Sequence, residues 1–187
     1  MPPCAYYSKV CIWWCFLLHN VILYGNHGDS KITDILISDL RESKSLYCLH
    51  DKIFNSNKNP EIAVIETEAA NVIESDEIGI CIFKLKSDVK NLKKISENIF
   101  CVVSSENTEI INKLSKLKAN VIMCGMSGRC TVNFSSLKQD SAVVSLNRSL
   151  KNIYGNIIEP LDIPINRFES GYEYEYLASA VLNLFLN

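Results

Sequence analysis

The sequence predicts an α/β fold: a mainly parallel sheet flanked by helices, with a small antiparallel appendage near residues 125–165. Three observations predict it. Short apolar, β-branched runs alternate with stretches of helical periodicity over most of the chain. The run Val21-Ile22-Leu23-Tyr24 leads into Gly25-Asn26-His27-Gly28-Asp29-Ser30 and then a helical pattern. That is the layout of a phosphate-binding loop, so the sheet is expected to be P-loop-type. Beyond Gly125, strand-like runs follow one another with no helical pattern between them.

Each element has its own signal. After the strand Val21–Tyr24, Ile32, Ile35, Leu36 and Leu40 share one helical face, with Asp29 or Ser30 as N-cap. Leu46–His50 and Ile62–Ile65 read as short buried strands separated by the turn-rich stretch Asn55–Pro60. Ile78–Phe83 is another apolar run, Asp88–Glu97 reads as a helix, and Ile99–Val103 as the next strand. Ser104 and Ser105 can cap a helix whose stripe is Ile110, Ile111, Leu114 and Leu117, and Asn120–Cys124 follows as a strand. Thr131–Phe134, Ala142–Leu146 and Ile157–Ile163 form the expected meander. Ser170-Gly171-Tyr172-Glu173 has the form of a capping box before a helix carrying Leu177, Ala180, Val181, Leu184 and Phe185.

Composition narrows the function classes. A chain of 187 residues with 48% hydrophobic content suits one domain with a real core. The formal charge of -2, with Lys interleaved among Glu and Asp, offers no basic face for nucleic acid. The Lys-rich run Lys84–Lys94 carries Val89 and Leu92, with Ile95 directly after it, at helical spacing, so it is expected to be a solvated helix face. None of the eight cysteines pairs at the spacing of a zinc knuckle or redox motif. Cys48, Cys81, Cys101 and Cys124 lie in apolar runs and suit a reducing compartment, so a cytoplasmic location is expected.

Residues 1–19 form an apolar segment that includes Trp13 and Trp14; the domain is expected to run from 20 to 187. Counted from Val10 through Tyr24 the segment is about 15 residues, short of the roughly 20 a membrane-spanning helix needs. On a helix, Cys11, Cys15 and His19 would share a face and could hold a metal, although cysteines on such a face commonly serve as packing. Its aromatics lie outside the recognisable domain, so the segment either packs on that domain or is the expected contact for a protein partner or for self-association.

Chemistry centres on the loop. Gly25, Asn26, His27, Gly28 and Ser30 are placed to present backbone N–H groups to an anion, but Asp29 stands where a cation should neutralise phosphate. A carboxylate about 4 Å from a bound phosphate costs on the order of 4 kcal/mol at an effective dielectric of about 20. Lys31 lies two residues further along the helix, a rotation of about 200°, so its stem leaves on the opposite face. Glu66 directly follows the strand ending at Ile65 and can hold Mg²⁺ at the carboxyl edge of the sheet, as can Glu68 if the chain turns back. His27 and His50 lack triad partners, Ser104 and Ser105 lack a nucleophile elbow, and Arg129 and Arg148 each stand alone. No catalytic residue is assigned.

The order of these parts resembles the central ATP-binding domain of the Mur ligase family, which includes cyanophycin synthetases and folate-polyglutamate ligases. Gly25–Ser30 is similar to that family's Gly-Thr-Asn-Gly-Lys-Thr loop with lysine exchanged for acid. Ala63-Val64-Ile65-Glu66-Thr67 resembles its strand ending in a magnesium-binding glutamate. Ile99–Asn107 is similar to its strand and acidic turn, Asn120–Leu137 to its Thr-Phe-Gly stretch with Gly125 at the glycine, and Glu169–Leu186 to its closing helix. The family's Asp-His element and its lysine that is often carbamylated have no counterpart, because Phe83–Glu97 reads as Lys-rich helix. The resemblance implies ATP and Mg²⁺ as cofactors if the site works. The departures imply a degenerate, non-catalytic binding or regulatory module, in a cell-envelope setting. The alternative is an ATP-dependent acid–amino-acid ligase subunit that needs partner domains, since only the central part of the family's three is matched.

Overall fold

The computed structural model describes residues 19–36, 46–49, 54–55 and 62–187. Its centre is a ten-stranded sheet in the order β3-β2-β4-β1-β6-β8-β9-β10-β11-β14. The strands are β1 (His19–Tyr24), β2 (Leu46–Leu49), β3 (Phe54–Asn55), β4 (Ile62–Thr67), β6 (Gly79–Phe83), β8 (Ile99–Ser104), β9 (Asn120–Cys124), β10 (Val132–Leu137), β11 (Ala142–Leu146) and β14 (Leu161–Ile165). From β2 to β10 every neighbouring pair is parallel. The edges β3 and β11-β14 are antiparallel additions. Two small sheets, β5 (Val72–Ile73) with β7 (Lys94–Ile95) and β12 (Leu150–Lys151) with β13 (Ile157–Ile158), stand apart. The expected parallel sheet with an antiparallel appendage is therefore present, and the appendage extends the main sheet.

The central strands are apolar on both faces because both are covered. Val21 and Leu23 point into one core with Ile32 and Leu36 of the helix at 31–36 (α1) and with Leu177, Val181 and Phe185 of α3 (Glu173–Leu186). Burying each of those last three side chains contributes about 1.5–3 kcal/mol. Ile22 and Tyr24 point into the second core, with Ile110 and Leu114 of α2 (Thr108–Lys116).

The second core also corrects the sequence reading. Residues 88–97 are not a helix but a turn followed by β7. Val89, Leu92 and Ile95 are all buried, as a helical stripe would be. Their spacing instead comes from a turn, Leu92 N–H to Val89 C=O at 3.2 Å, opened by the Asp88 carboxylate accepting from Lys90 N–H at 2.9 Å. The following N–H groups of Lys93 and Ser96 donate to Asn71 and Ile73, so pairing with β5 replaces the helix ladder.

Helix starts differ in detail as well. α2 is capped by Asn107, whose side chain accepts from Ile110 N–H at 3.2 Å, rather than by Ser104 or Ser105. At α3 the expected capping box is not formed: the N-cap is Tyr172 without a side-chain cap, and the Glu173 carboxylate accepts instead from Gly171 N–H at 3.0 Å and from the Ser170 hydroxyl. Pro160 separates the expected Ile157–Ile163 strand into β13 and β14, since it cannot donate to a ladder. The segment 1–18, with Trp13, Trp14, Cys11 and Cys15, lies outside the described residues, as does His50. Among the described residues, no helix is long and apolar enough to cross a membrane.

Candidate anion-loop site

Three neighbouring strands, β4, β1 and β6, end together at the carboxyl edge of the sheet. There β1 runs into the loop 25–30, β4 carries Glu66 next to its last residue with Glu68 just beyond it, and Lys84 directly follows β6. In open α/β sheets ligands bind at this edge. Gly25 is held at φ +143, and a Cβ there would lie 2.7 Å from Lys84 Cβ and 2.5 Å from Ser87 Oγ, so only glycine lets the two segments close on each other.

The N–H groups of the loop are already engaged. Gly25 N–H donates to Thr67 C=O at 2.8 Å, Asn26 N–H to Lys86 C=O at 3.4 Å, and Asp29 N–H to Asn26 C=O at 3.0 Å. Between them, His27 N–H donates to the Glu68 carboxylate at 2.7 Å and Gly28 N–H to the Asn26 side-chain oxygen at 2.6 Å. The Glu68 carboxylate thus takes one of the N–H groups that a bound anion would use. Ser30 is equally committed, its hydroxyl donating to Asp34 at 2.8 Å.

The sequence reading found no cation at this loop, and the structure supplies one. Lys84 is 1% exposed, which corrects its assignment to a solvated helix face; Lys86, Lys90, Lys93 and Lys94 are exposed as expected. Its ammonium donates to Asn26 C=O at 3.0 Å, to Asp29 C=O at 2.6 Å and to the Glu66 carboxylate. Three donors meet three acceptors, which satisfies an ammonium completely. The Glu66 side chain is 10% exposed and also accepts from Thr33 Oγ1 at 3.5 Å, with His27 Nδ1 3.9 Å away. A visible signal for Lys84 was its place immediately after the apolar run Gly79–Phe83, the same position that singled out Glu66 after its own strand.

Lys31 turns away from the loop, as its helical offset predicts. Its ammonium reaches Gly171 C=O at 3.2 Å and lies 4.6 Å from the centroid of the Tyr172 ring, tying α1 to the start of α3. Tyr174, on the first turn of α3, is buried and donates its hydroxyl to Phe83 C=O at 2.6 Å where β6 ends, with Val102 C=O 3.2 Å away. Burial pushes that phenol well above its ordinary range, so it stays a donor.

Glu175 beside it is 3% exposed, and burial raises its carboxyl above the ordinary 4.5; Asp29 and Glu173 add to the rise, while its own backbone N–H and Lys31 oppose it. A carboxyl whose folded pKa exceeds its unfolded value weakens the fold once ionised. The penalty is absent below the unfolded pKa and sets in as pH rises through the raised value. Glu175→Gln is therefore expected to be more stable than the native chain at about pH 7 and to lose that advantage near pH 4. Urea denaturation at the two pH values checks it, and a less stable variant at the higher pH overturns it.

The arrangement does not fit a nucleotide phosphate with its magnesium as it stands. Phosphate would have to displace Glu68 and the Asn26 side chain, and a divalent ion on Glu66 would have to displace Lys84. Among the described residues no group of three His, Cys, Asp or Glu side chains is placed to hold a metal ion.

No protein-family model matches the sequence, and no curated protein sequence does. Solved structures match by shape. MurF ligase from Thermotoga maritima in complex with ADP aligns with 92% of this chain and 47% of its own length, at TM-score 0.54 and 13% identity. MurF from Acinetobacter baumannii aligns with 90% of this chain and 43% of its own, at TM-score 0.57 and 12% identity. UDP-N-acetylmuramate:L-alanyl-gamma-D-glutamyl-meso-diaminopimelate ligase from Neisseria meningitides aligns over 90% and 62%, at TM-score 0.58 and 11% identity. The chain spans less than two thirds of the length of each, and at these identities the likeness is one of fold: a mostly parallel, Mur ligase-like α/β sheet.

Proposed function

We propose that residues 20–187 form a degenerate Mur ligase-like domain whose nucleotide loop is closed by its own side chains. The domain serves as a non-catalytic binding or regulatory module related to cell-wall ligases, in the cytoplasm. The observation that carries this reading is the full commitment of the loop: five successive N–H groups, from Gly25 to Asp29, have protein acceptors, and the Lys84 ammonium is matched by Glu66 and two carbonyls. With its ligand seats filled from within, the domain has binding to another protein chain as its remaining use, and the apolar segment 1–19 is the surface proposed for it.

Lys84 also favours the second reading, an ATP-dependent amide ligase subunit, because it brings a cation to a glycine loop. The two readings separate on nucleotide. A ligand at 100 times its Kd stabilises a fold by about 2.7 kcal/mol, which moves the melting midpoint of a domain this size by roughly 5–10 °C. Millimolar Mg-ATP is expected to leave the midpoint unchanged. A saturable rise of several degrees overturns the closed-site reading in favour of the ligase subunit.

A further inference from the structure

Beside the first half of β9 the main sheet has a gap. β10 meets β9 only at Val132↔Cys124, so residues 120–122 have a strand neighbour on the β8 side alone. The chain leaving β11 passes along this gap and leaves a cavity of ≈ 220 Å³, at a distance in the sheet from the β1 loop. Its apolar wall includes Phe100, Val121 and Leu150, and its polar wall Thr131, Arg148 and Lys151.

No carboxylate lines the cavity. Among the described residues, neither Arg148 nor Lys151 is in an ion pair. Arg148 Nη2 donates to Arg129 C=O at 3.3 Å, which brings the two arginines that stand alone in sequence to one side of the molecule. Thr131 Oγ1 accepts from Met123 N–H at 3.3 Å, leaving its hydroxyl hydrogen to donate. Glu159 adjoins the rim, where its carboxylate is engaged by the Ser149 hydroxyl at 3.1 Å. Two cations outside any ion pair among the described residues, and a hydroxyl donor, beside an aromatic and aliphatic wall match an anion with an apolar body. The open edge of β9 is too short to take an added strand, which favours a small molecule over an extended peptide.

We infer that this cavity binds a small organic anion, its phosphate or carboxylate head on Arg148 and Lys151 and its apolar body against Phe100 and Leu150. The test is a titration of the full chain, followed by amide NMR, with phenyl phosphate, with benzoate and with neutral benzyl alcohol. Saturable shifts confined to the amides around Thr131 and 149–151 are expected with the anions, and the stronger of the two identifies the head group. Both cations are exposed, so the double variant Arg148→Ala/Lys151→Ala should fold and is expected to bind at least about tenfold more weakly. Three outcomes overturn the inference: no saturable shift with either anion up to about 10 mM, equal binding of benzyl alcohol, or undiminished affinity in the double variant.

Discussion

Replacing Lys84 with methionine is expected to lower the unfolding free energy by about 3–5 kcal/mol, because it removes one partner of a buried ion pair and strands the other. Lys84 has no exposed side-chain surface and Glu66 only 10%. The Asn26 and Asp29 carbonyls would lose a charged donor in the same step. Methionine keeps most of the stem's volume, so the loss reports on charge and hydrogen bonding more than on a cavity. The companion Glu66→Gln removes the stranded carboxylate, so the double variant should be more stable than Lys84→Met alone. Urea denaturation of the two single variants and the double variant gives the coupling directly, provided the slope with denaturant is shared. A loss below about 1 kcal/mol for Lys84→Met would place the pair with ordinary surface salt bridges and undo the closed-site account.

The sheet was legible because a parallel strand covered on both faces must be apolar at every position, and Val21–Tyr24, Gly79–Phe83 and Ile99–Val103 all show it. The closing helix was legible in the same way. What failed was the reading of 84–97, for two separate physical reasons. Three apolar residues at every third position satisfy a succession of turns as well as a helix, and pairing with β5 decided between them. Lysine is read as solvated by default, and only the tertiary meeting of β1, β4 and β6 reveals the three oxygens that make burial of Lys84 tolerable. Hence the loop, its acid and Glu66 were visible in sequence. The acceptors that occupy its N–H groups were not, since Glu68 and Asn26 act there through loop geometry that no spacing rule encodes.

Gly25→Ala is expected to cost about 2–4 kcal/mol, combining a left-handed backbone that alanine rarely adopts with overpacking at the loop. The two contributions are structurally linked. The new methyl would lie 2.7 Å from Lys84 Cβ, an atom anchored next to the backbone, so relief requires moving the end of β6 itself and with it the ammonium's three bonds. Gly28→Ala provides the milder comparison, because that glycine lacks a positive φ and its Cβ would meet, at 2.9 Å, only the Asn26 side-chain oxygen that already accepts from Gly28 N–H and needs to give by a few tenths of an ångström. Its cost should stay within about 1 kcal/mol. Because Gly25 and Lys84 share one contact, Gly25→Ala combined with Lys84→Met should cost less than the sum of the two, as variants acting on one interaction do. Denaturation midpoints for the four chains decide it. Strict additivity would mean that Gly25 serves only a turn and that the lysine is held by something other than the closed loop.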